Sequence, residues 1–360
     1  GKSNQPWQTP TTDLACLSTV ESMKDVMRCW LDMGCDGFRV DMASSLVKND
    51  TKHKKYTCAI WRDIAAMLSK EYPEAALVAE WNGPRMSLKN GFDMDFYLEW
   101  QGNGYSWLMR NYDGATDSNP HNIGKAYFCK DSGTGIDKFL DDYLPSYKAT
   151  KKDGLWCFIT CNHDTIRPSA GLTVDELRLA YATLFTLPGA PFVYYGDEIG
   201  MNYVEGLNSV EGGYGRTGSR SPMPWDSSEN AGFSSAPAEK LYIPLDPDPD
   251  RPTAEKQIAV NNSLRSEVKK LIAVRQAHKA LQSLGDIEFV CDGAKGRPLA
   301  YVRSFDGERI LVAVNPTDSA CELTVGGSLG EVIYSFGSGA EISGNSCVIG
   351  AGSAAFVKLD

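Results

Sequence analysis

The stretch Asp36-Gly37-Phe38-Arg39-Val40-Asp41 is the first whose residue types could do chemistry. Its apolar Phe38 and Val40 alternate with charged Arg39 and Asp41, the pattern of a short strand. Residues two apart in a strand share a face, so Arg39 and Asp41 are expected to project together. An arginine beside a carboxylate favours its charged form, which suits a nucleophile more than an acid. Taken alone, the pair fits a structural ion pair equally well. Two further carboxylates follow predicted strands: Glu80 after Ala75-Ala76-Leu77-Val78-Ala79, and Asp164 after Leu155-Trp156-Cys157-Phe158-Ile159-Thr160. If the sheet curves, the three acids meet at one mouth. Two converging carboxylates are the minimum for retaining glycoside cleavage, one attacking the anomeric carbon while the other protonates the leaving oxygen. A third would hold substrate hydroxyls. Spacing alone does not separate this from the other chemistries that barrels host.

The elements that must position these acids follow from periodicity. Residues 1–17 read as an extended polar lead-in. Ser18 and Glu21 form a capping-box pattern before Val20, Met23, Met27, Trp30 and Leu31 at helical spacing. A second helix is expected over about 54–70, a third near 135–148, and a fourth capped by Thr173 and Glu176. Phe92–Tyr97 and Pro191–Gly196 complete a count of five short buried strands. Strands alternating with helices imply right-handed βαβ units and a parallel sheet, with chemistry at the strands' C-terminal ends.

Residues 197–260 read as one long Gly-, Pro- and Asp-rich loop, and such loops usually carry function or lack order. Its Asp246-Pro247-Asp248-Pro249-Asp250 run has neither the turn glycine nor the terminal glutamate of a calcium loop. Gly212-Gly213-Tyr214-Gly215 has no Lys-Ser/Thr sequel and is no phosphate loop. A helix follows at about 262–278. After Gly285 come short alternating segments between Gly, Asn-Pro and Asp-Gly turns, the pattern of a small antiparallel β domain. The expected organisation is residues 1–284 and residues 285–360.

Composition bounds the rest. The chain has 360 residues, 42% hydrophobic and 23% charged, which is ample for a core. A net charge of −10 argues against nucleic acid or an anionic membrane as partner and suits a neutral substrate. No apolar run approaches the roughly 20 residues that span a bilayer. Ten scattered cysteines complete no zinc pattern. They read as buried free thiols of a reducing cytoplasm. Residue 1 does not read as a natural beginning, so the absence of a leader there carries no weight.

The words around the three acids are recognisable. Gly37-Phe38-Arg39-Val40-Asp41, Ala79-Glu80-Trp81 and Asn162-His163-Asp164 closely resemble the last three of four signature regions of the α-amylase family (glycoside hydrolase family 13), in family order. Phe192-Val193-Tyr194-Tyr195-Gly196-Asp197-Glu198 resembles the family's eighth strand. Ser221-Pro222-Met223-Pro224-Trp225-Asp226 is similar to a loop motif of its oligo-α-glucosidase branch. The resemblance covers about residues 10–285.

It implies Asp41 as nucleophile with Arg39 beside it, Glu80 as general acid/base, and His163 with Asp164 gripping substrate hydroxyls and stabilising the transition state. Trp81 is either a sugar-stacking platform or a barrel-top filler. Arg167 resembles an arginine of glucosidases, and a plain salt bridge serves the residue as well. No metal ligand is assigned; no organic cofactor is expected, and a calcium site remains compatible. Met42-Ala43-Ser44-Ser45 stands where endo-acting members carry Lys-His, which points to short substrates.

The family's first signature region has no counterpart here, nor do its first three barrel strands. The resemblance therefore implies the C-terminal part, about strands 4–8, of a (β/α)8 barrel followed by a small β-sandwich. The implied activity is retaining cleavage of α-glucosidic bonds in short oligosaccharides, with transglycosylation or a non-catalytic binding subunit as alternatives. Five consecutive strands leave open edges, so an upstream segment or a second copy is expected to complete the barrel, and residues 1–360 alone are expected to be inactive.

Overall fold

The computed structural model describes residues 14–98, 103–110, 124–207, 216–290 and 297–360. Residues 1–13 of the expected lead-in and the glycines at 212–215 lie outside them. In chain order the first elements are α1 (Leu14–Asp32), β1 (Gly37–Val40), α2 (Lys55–Glu71), β2 (Ala76–Ala79), α3 (Pro84–Ser87) and β3 (Met94–Tyr97). Next come α4 (Ser106–Met109), α5 (Asp137–Thr150), β4 (Leu155–Ile159), α6 (Val174–Leu184), β5 (Ala190–Phe192), α7 (Ala254–Ala259) and α8 (Leu264–Ala277). The remainder is all β: β6 (Asp286–Phe289), β7 (Leu299–Phe305), β8 (Glu308–Asn315) and β9 (Cys321–Thr324). It closes with β10 (Leu329–Phe336), β11 (Ala340–Ser343), β12 (Ser346–Ile349) and β13 (Ser353–Leu359). The chain divides into two compact units, one of Gly1–Leu98 with Leu144–Phe158, the other of Glu99–Tyr143 with Ile159–Asp360.

In the first unit β1, β2, β3 and β4 pair in parallel, in that order. Gly37 faces Ala76 across the β1–β2 pair with φ +149°, and a Cβ there would collide with the Ala76 carbonyl. Only glycine lets the two strands approach. The turn into α2 is fixed by Asp50, whose carboxylate accepts from the backbone amides of Thr51, Tyr56 and Thr57. Burial opposes the Asp50 charge, but those amides prevail and hold its pKa below the usual carboxylate range. Trp61, Ile64, Met67 and Leu68 of α2 pack on Leu77 and Ala79 of β2, with Phe92 closing the layer.

In the second unit the chain leaving β4 pairs with β5, Thr160 N–H donating to Phe192 O at 3.0 Å. Helix α6 starts on the expected box: Thr173 accepts from Glu176 N–H, and Glu176 reaches back to Thr173 N–H at 2.8 Å. After Gly285 the strands form two antiparallel sheets, β10-β13-β8-β7-β6 and β11-β12-β9. Both contribute to one apolar core that includes Val302, Leu311, Ala313, Leu323, Ile349 and Val357. The pattern change at Gly285 falls inside this unit. There Tyr301 Oη meets Thr186 Oγ1 at 2.6 Å, and buried Arg303 donates to the carbonyls of Thr186, Gln282 and Gly285.

Several expectations differ from the structure in detail. Helix α1 covers Leu14–Asp32, so Ser18 lies within it rather than at its start, and residues 14–17 of the expected lead-in are helical. The strand expected over 191–196 is only Ala190–Phe192; past it the Tyr194 N–H donates to the Thr160 hydroxyl rather than to a neighbouring strand's backbone, and Gly196 turns left-handed at φ 83°. The 197–260 region carries several 3-10 turns and helix α7. Among the described residues Cys58, Cys129, Cys157, Cys161 and Cys347 are free and buried, and the free Cys29 and Cys35 are exposed rather than buried. No helix among those residues is long and apolar enough to cross a membrane.

Candidate active site

In the first unit, Asp41 follows β1 and Glu80 follows β2, neighbours in the parallel sheet. The pairing extends one step beyond the strands, with Glu80 N–H donating to Val40 O at 3.0 Å. Arg39 joins the two acids. Its Nη1 lies 2.9 Å from Asp41 Oδ1 and its Nη2 lies 2.5 Å from Glu80 Oε2. The shared face expected for Arg39 and Asp41 is therefore present, and the same guanidinium also reaches the acid on the next strand. Asp41 is 71% exposed at its side chain while Glu80 is 12% exposed, so one carboxylate is open to a ligand and the other recessed. Met42, left-handed at φ 41°, turns its N–H toward Glu80 Oε2 at 3.4 Å.

Trp81 is half-buried. Its ring meets Phe92 edge-on at 6.2 Å and packs on the apolar layer of α2 and β2. Of the two readings left open by the sequence, the filler is the one its packing supports.

In the second unit, Asn162, His163 and Asp164 turn sharply after β4. Asn162 Oδ1 accepts from Asp164 N–H, and Asn162 N–H donates to Thr165 Oγ1. Asp164 Oδ1 receives Arg216 Nη1 at 2.7 Å and Arg220 Nη2 at 2.9 Å. His163 Nε2 stands 3.4 Å from Asp164 Oδ2, and Arg220 Nε ties down the His163 carbonyl at 2.8 Å. Both His163 and Asp164 keep about two-fifths of their side chains exposed, at 41% and 38%. The turn thus presents a half-open carboxylate whose charge is answered by two guanidinium groups. Neither arginine was singled out in the sequence. The signal available was their position beside the Ser221–Asp226 motif, with Arg220 directly before it.

Arg167 is placed elsewhere than at a ligand-facing surface. It is fully buried, with Nη1 2.7 Å from both Asp197 Oδ1 and the Tyr195 carbonyl, and Nη2 3.0 Å from the Ser219 carbonyl. Its guanidinium lies 4.9 and 4.8 Å from the rings of Tyr194 and Tyr195. Asp197, buried as well, accepts from Thr160 Oγ1 at 2.6 Å and Cys161 Sγ at 3.0 Å. A side chain so enclosed ties the Tyr195, Asp197 and Ser219 segments together and leaves no exposed surface for a sugar, in contrast to the substrate contact expected for it. The salt-bridge alternative describes it better, although the bridge is buried rather than on the surface.

The acidic run at 246–250 is turned on its own backbone. Asp246 accepts from Asp248 N–H and from Asn202 Nδ2, and Asp248 accepts from Asp250 N–H.

Comparison with known proteins identifies the family. The sequence profile of the alpha amylase catalytic domain matches residues 10–283. The trehalose synthase/amylase TreS of Mycobacterium tuberculosis is 28% identical over 329 residues, covering 82% of this chain and 53% of that protein. Maltase A2 of Drosophila melanogaster is 25% identical over 305 residues, covering 79% of this chain and 52% of that protein. The chain thus spans about half the length of the curated relatives it matches. Among solved structures, the trehalulose synthase MutB from Pseudomonas mesoacidophila MX-45 superposes with a TM-score of 0.75 at 19% identity. That superposition covers 96% of this chain and 69% of the other. With the profile matched across most of its length, this chain belongs to the α-amylase catalytic-domain family, an enzyme family.

Proposed function

We propose that this chain carries the reacting carboxylates of a retaining enzyme that cleaves α-glucosidic bonds in short oligosaccharides. The observation that carries the reading is the pair Asp41 and Glu80, on adjacent parallel strand ends and bound to one guanidinium. In the first step Asp41 attacks the anomeric carbon, the glycosidic bond breaks, and Glu80 gives its proton to the departing oxygen. In the second step water attacks the glycosyl–Asp41 ester while Glu80 takes the water's proton, and Asp41 is released. Arg39 supports the charged Asp41 before attack. His163 and Asp164 take the hydroxyl-gripping role that the family resemblance implies. On the same reading the parallel sheet is the C-terminal part of a (β/α)8 barrel.

Transfer to a sugar instead of water is the second reading. It is favoured by relatives named as synthases, TreS and MutB. Both outcomes share the first step and differ in which hydroxyl attacks the ester.

The test compares leaving groups. Glu80→Gln in the full-length protein should slow disaccharide cleavage by roughly 10²–10⁴-fold, the usual worth of a positioned acid. It should slow an aryl α-glucoside with an acidic phenol by less than about tenfold in the first step, because that group departs without a proton. Equal losses on both substrates would remove Glu80 from the acid role.

A further inference from the structure

We propose that Asp95 is a positioning residue for Glu80, holding the acid/base in place by gripping the three backbone amides that follow it. The inference rests on the reading of Glu80 given above and adds a residue that touches no substrate. Asp95 lies on β3, in register with Ala79, the residue before Glu80. It is completely buried. Its Oδ1 accepts from Trp81 N–H and Asn82 N–H, both at 3.2 Å. Its Oδ2 accepts from Gly83 N–H at 2.9 Å and from Ser87 Oγ at 2.6 Å.

Four donors therefore converge on one carboxylate, and three of them are consecutive amides starting next to Glu80. Those amides point one way because Asn82 sits left-handed at φ 55°, a conformation asparagine tolerates better than most residues. Asn82 Oδ1 in turn accepts from Leu98 N–H, just beyond β3, at 3.2 Å. Successive amides turned into a concave nest bind an anion, and here the anion is supplied by the adjacent strand. The backbone of Glu80 is thus pinned on one side by Val40 O and on the other by Asp95. No other side-chain type offers two charged acceptor oxygens at this reach: asparagine would turn an N–H₂ toward at least one of the donors.

Displacement of a reacting group by about 1 Å can cost about 10²-fold in rate. The expected signature of Asp95→Asn is therefore Glu80's own signature in weaker form. In the full-length protein, kcat on a disaccharide should fall by roughly 10- to 100-fold. The bond-breaking step on an aryl α-glucoside with an acidic phenol should fall by less than about threefold, and KM for both should change by less than about threefold. Loss of folded protein alone would lower kcat on both substrates by one factor. Equal losses, or none, would overturn the assignment.

If Asp95→Asn does not fold, Ser87→Ala removes a single donor to Oδ2 and is judged by the same ratio, selective loss supporting the assignment and an unchanged ratio overturning it. Glu80→Gln run in parallel separates the two claims. Selectivity there without selectivity at Asp95 sinks only the positioning role, whereas no selectivity at Glu80 removes the acid and the positioning role with it.

Discussion

Replacing Arg167 by methionine should unfold the protein more readily while leaving sugar affinity almost untouched. The guanidinium makes three close contacts, to Asp197 Oδ1, the Tyr195 carbonyl and the Ser219 carbonyl, and it lies against two tyrosine rings. Methionine fills part of the space but leaves Asp197 as a buried carboxylate whose remaining donors among the described residues are Thr160 Oγ1 and Cys161 Sγ. Removing one partner of a buried pair costs about 3–5 kcal/mol, mostly for the charge left behind. That is a large fraction of the roughly 5–15 kcal/mol that stabilises a typical protein. In a unit of this size it lowers the melting temperature on the order of 10 °C. Arg167→Lys keeps the charge, loses the fork, and should fall between the two. Urea unfolding followed by circular dichroism gives the energy, and initial rates on folded protein give KM. A stability loss under about 1 kcal/mol together with a KM raised more than about tenfold would refute this reasoning. Arg167 would then be a sugar contact.

Two further outcomes are expected. Burial pushes Asp95 up to about 6, against the opposing hydrogen bonds from Ser87, Gly83, Trp81 and Asn82. The folded value exceeds the unfolded one, so its favourable contribution is complete below about pH 4 and is lost as pH rises through about 6. The stability of the wild type minus that of Asp95→Asn should fall on the order of 3 kcal/mol between pH 4 and pH 8. A difference independent of pH would show that Asp95 is not buried as a charge. The second outcome concerns α1, where Met23, Val26 and Trp30, with Met33 just beyond, are 52%, 47%, 50% and 72% exposed. An apolar patch of this kind marks a contact surface. Among the described residues β1 is paired on its β2 side alone, and an open edge is a template for another strand. Residues 1–360 expressed alone should therefore associate and cleave no α-glucoside, and Trp30→Lys with Met33→Lys should shift them toward monomer in size-exclusion light scattering. An active monomer would contradict this.

What the sequence made legible was short in range. Arg39 and Asp41 are two residues apart, so strand period alone placed them on one face, and they meet at 2.9 Å. Thr173 and Glu176 are three apart and form the expected cap. Ser18 and Glu21 have the same spacing but lie inside α1, which already covers Leu14. The residues that escaped notice act over long separations. Arg216 and Arg220 reach Asp164 from 52 and 56 positions away, and no local period encodes such a contact. Asp95 was legible as a strand residue only. An acid alternating with Met94 and Phe96 reads as solvent-facing until the Trp81–Gly83 turn folds its amides onto it. Arg167 was misplaced for a related reason: its partner Asp197 is 30 residues on, and nothing near Arg167 announces burial.

The claim that Asp41 is the nucleophile is tested most directly by trapping the ester. An α-glucosyl fluoride carrying an electron-withdrawing fluorine on the ring slows breakdown of the intermediate more than its formation. Incubating the full-length protein with it and mapping peptides by mass spectrometry should place one fluoroglucosyl group on Asp41, with label and loss of activity rising together. Asp41→Asn should take up no label while remaining folded. A label on another carboxylate, or turnover of the reagent with inversion and no label at all, would contradict the account.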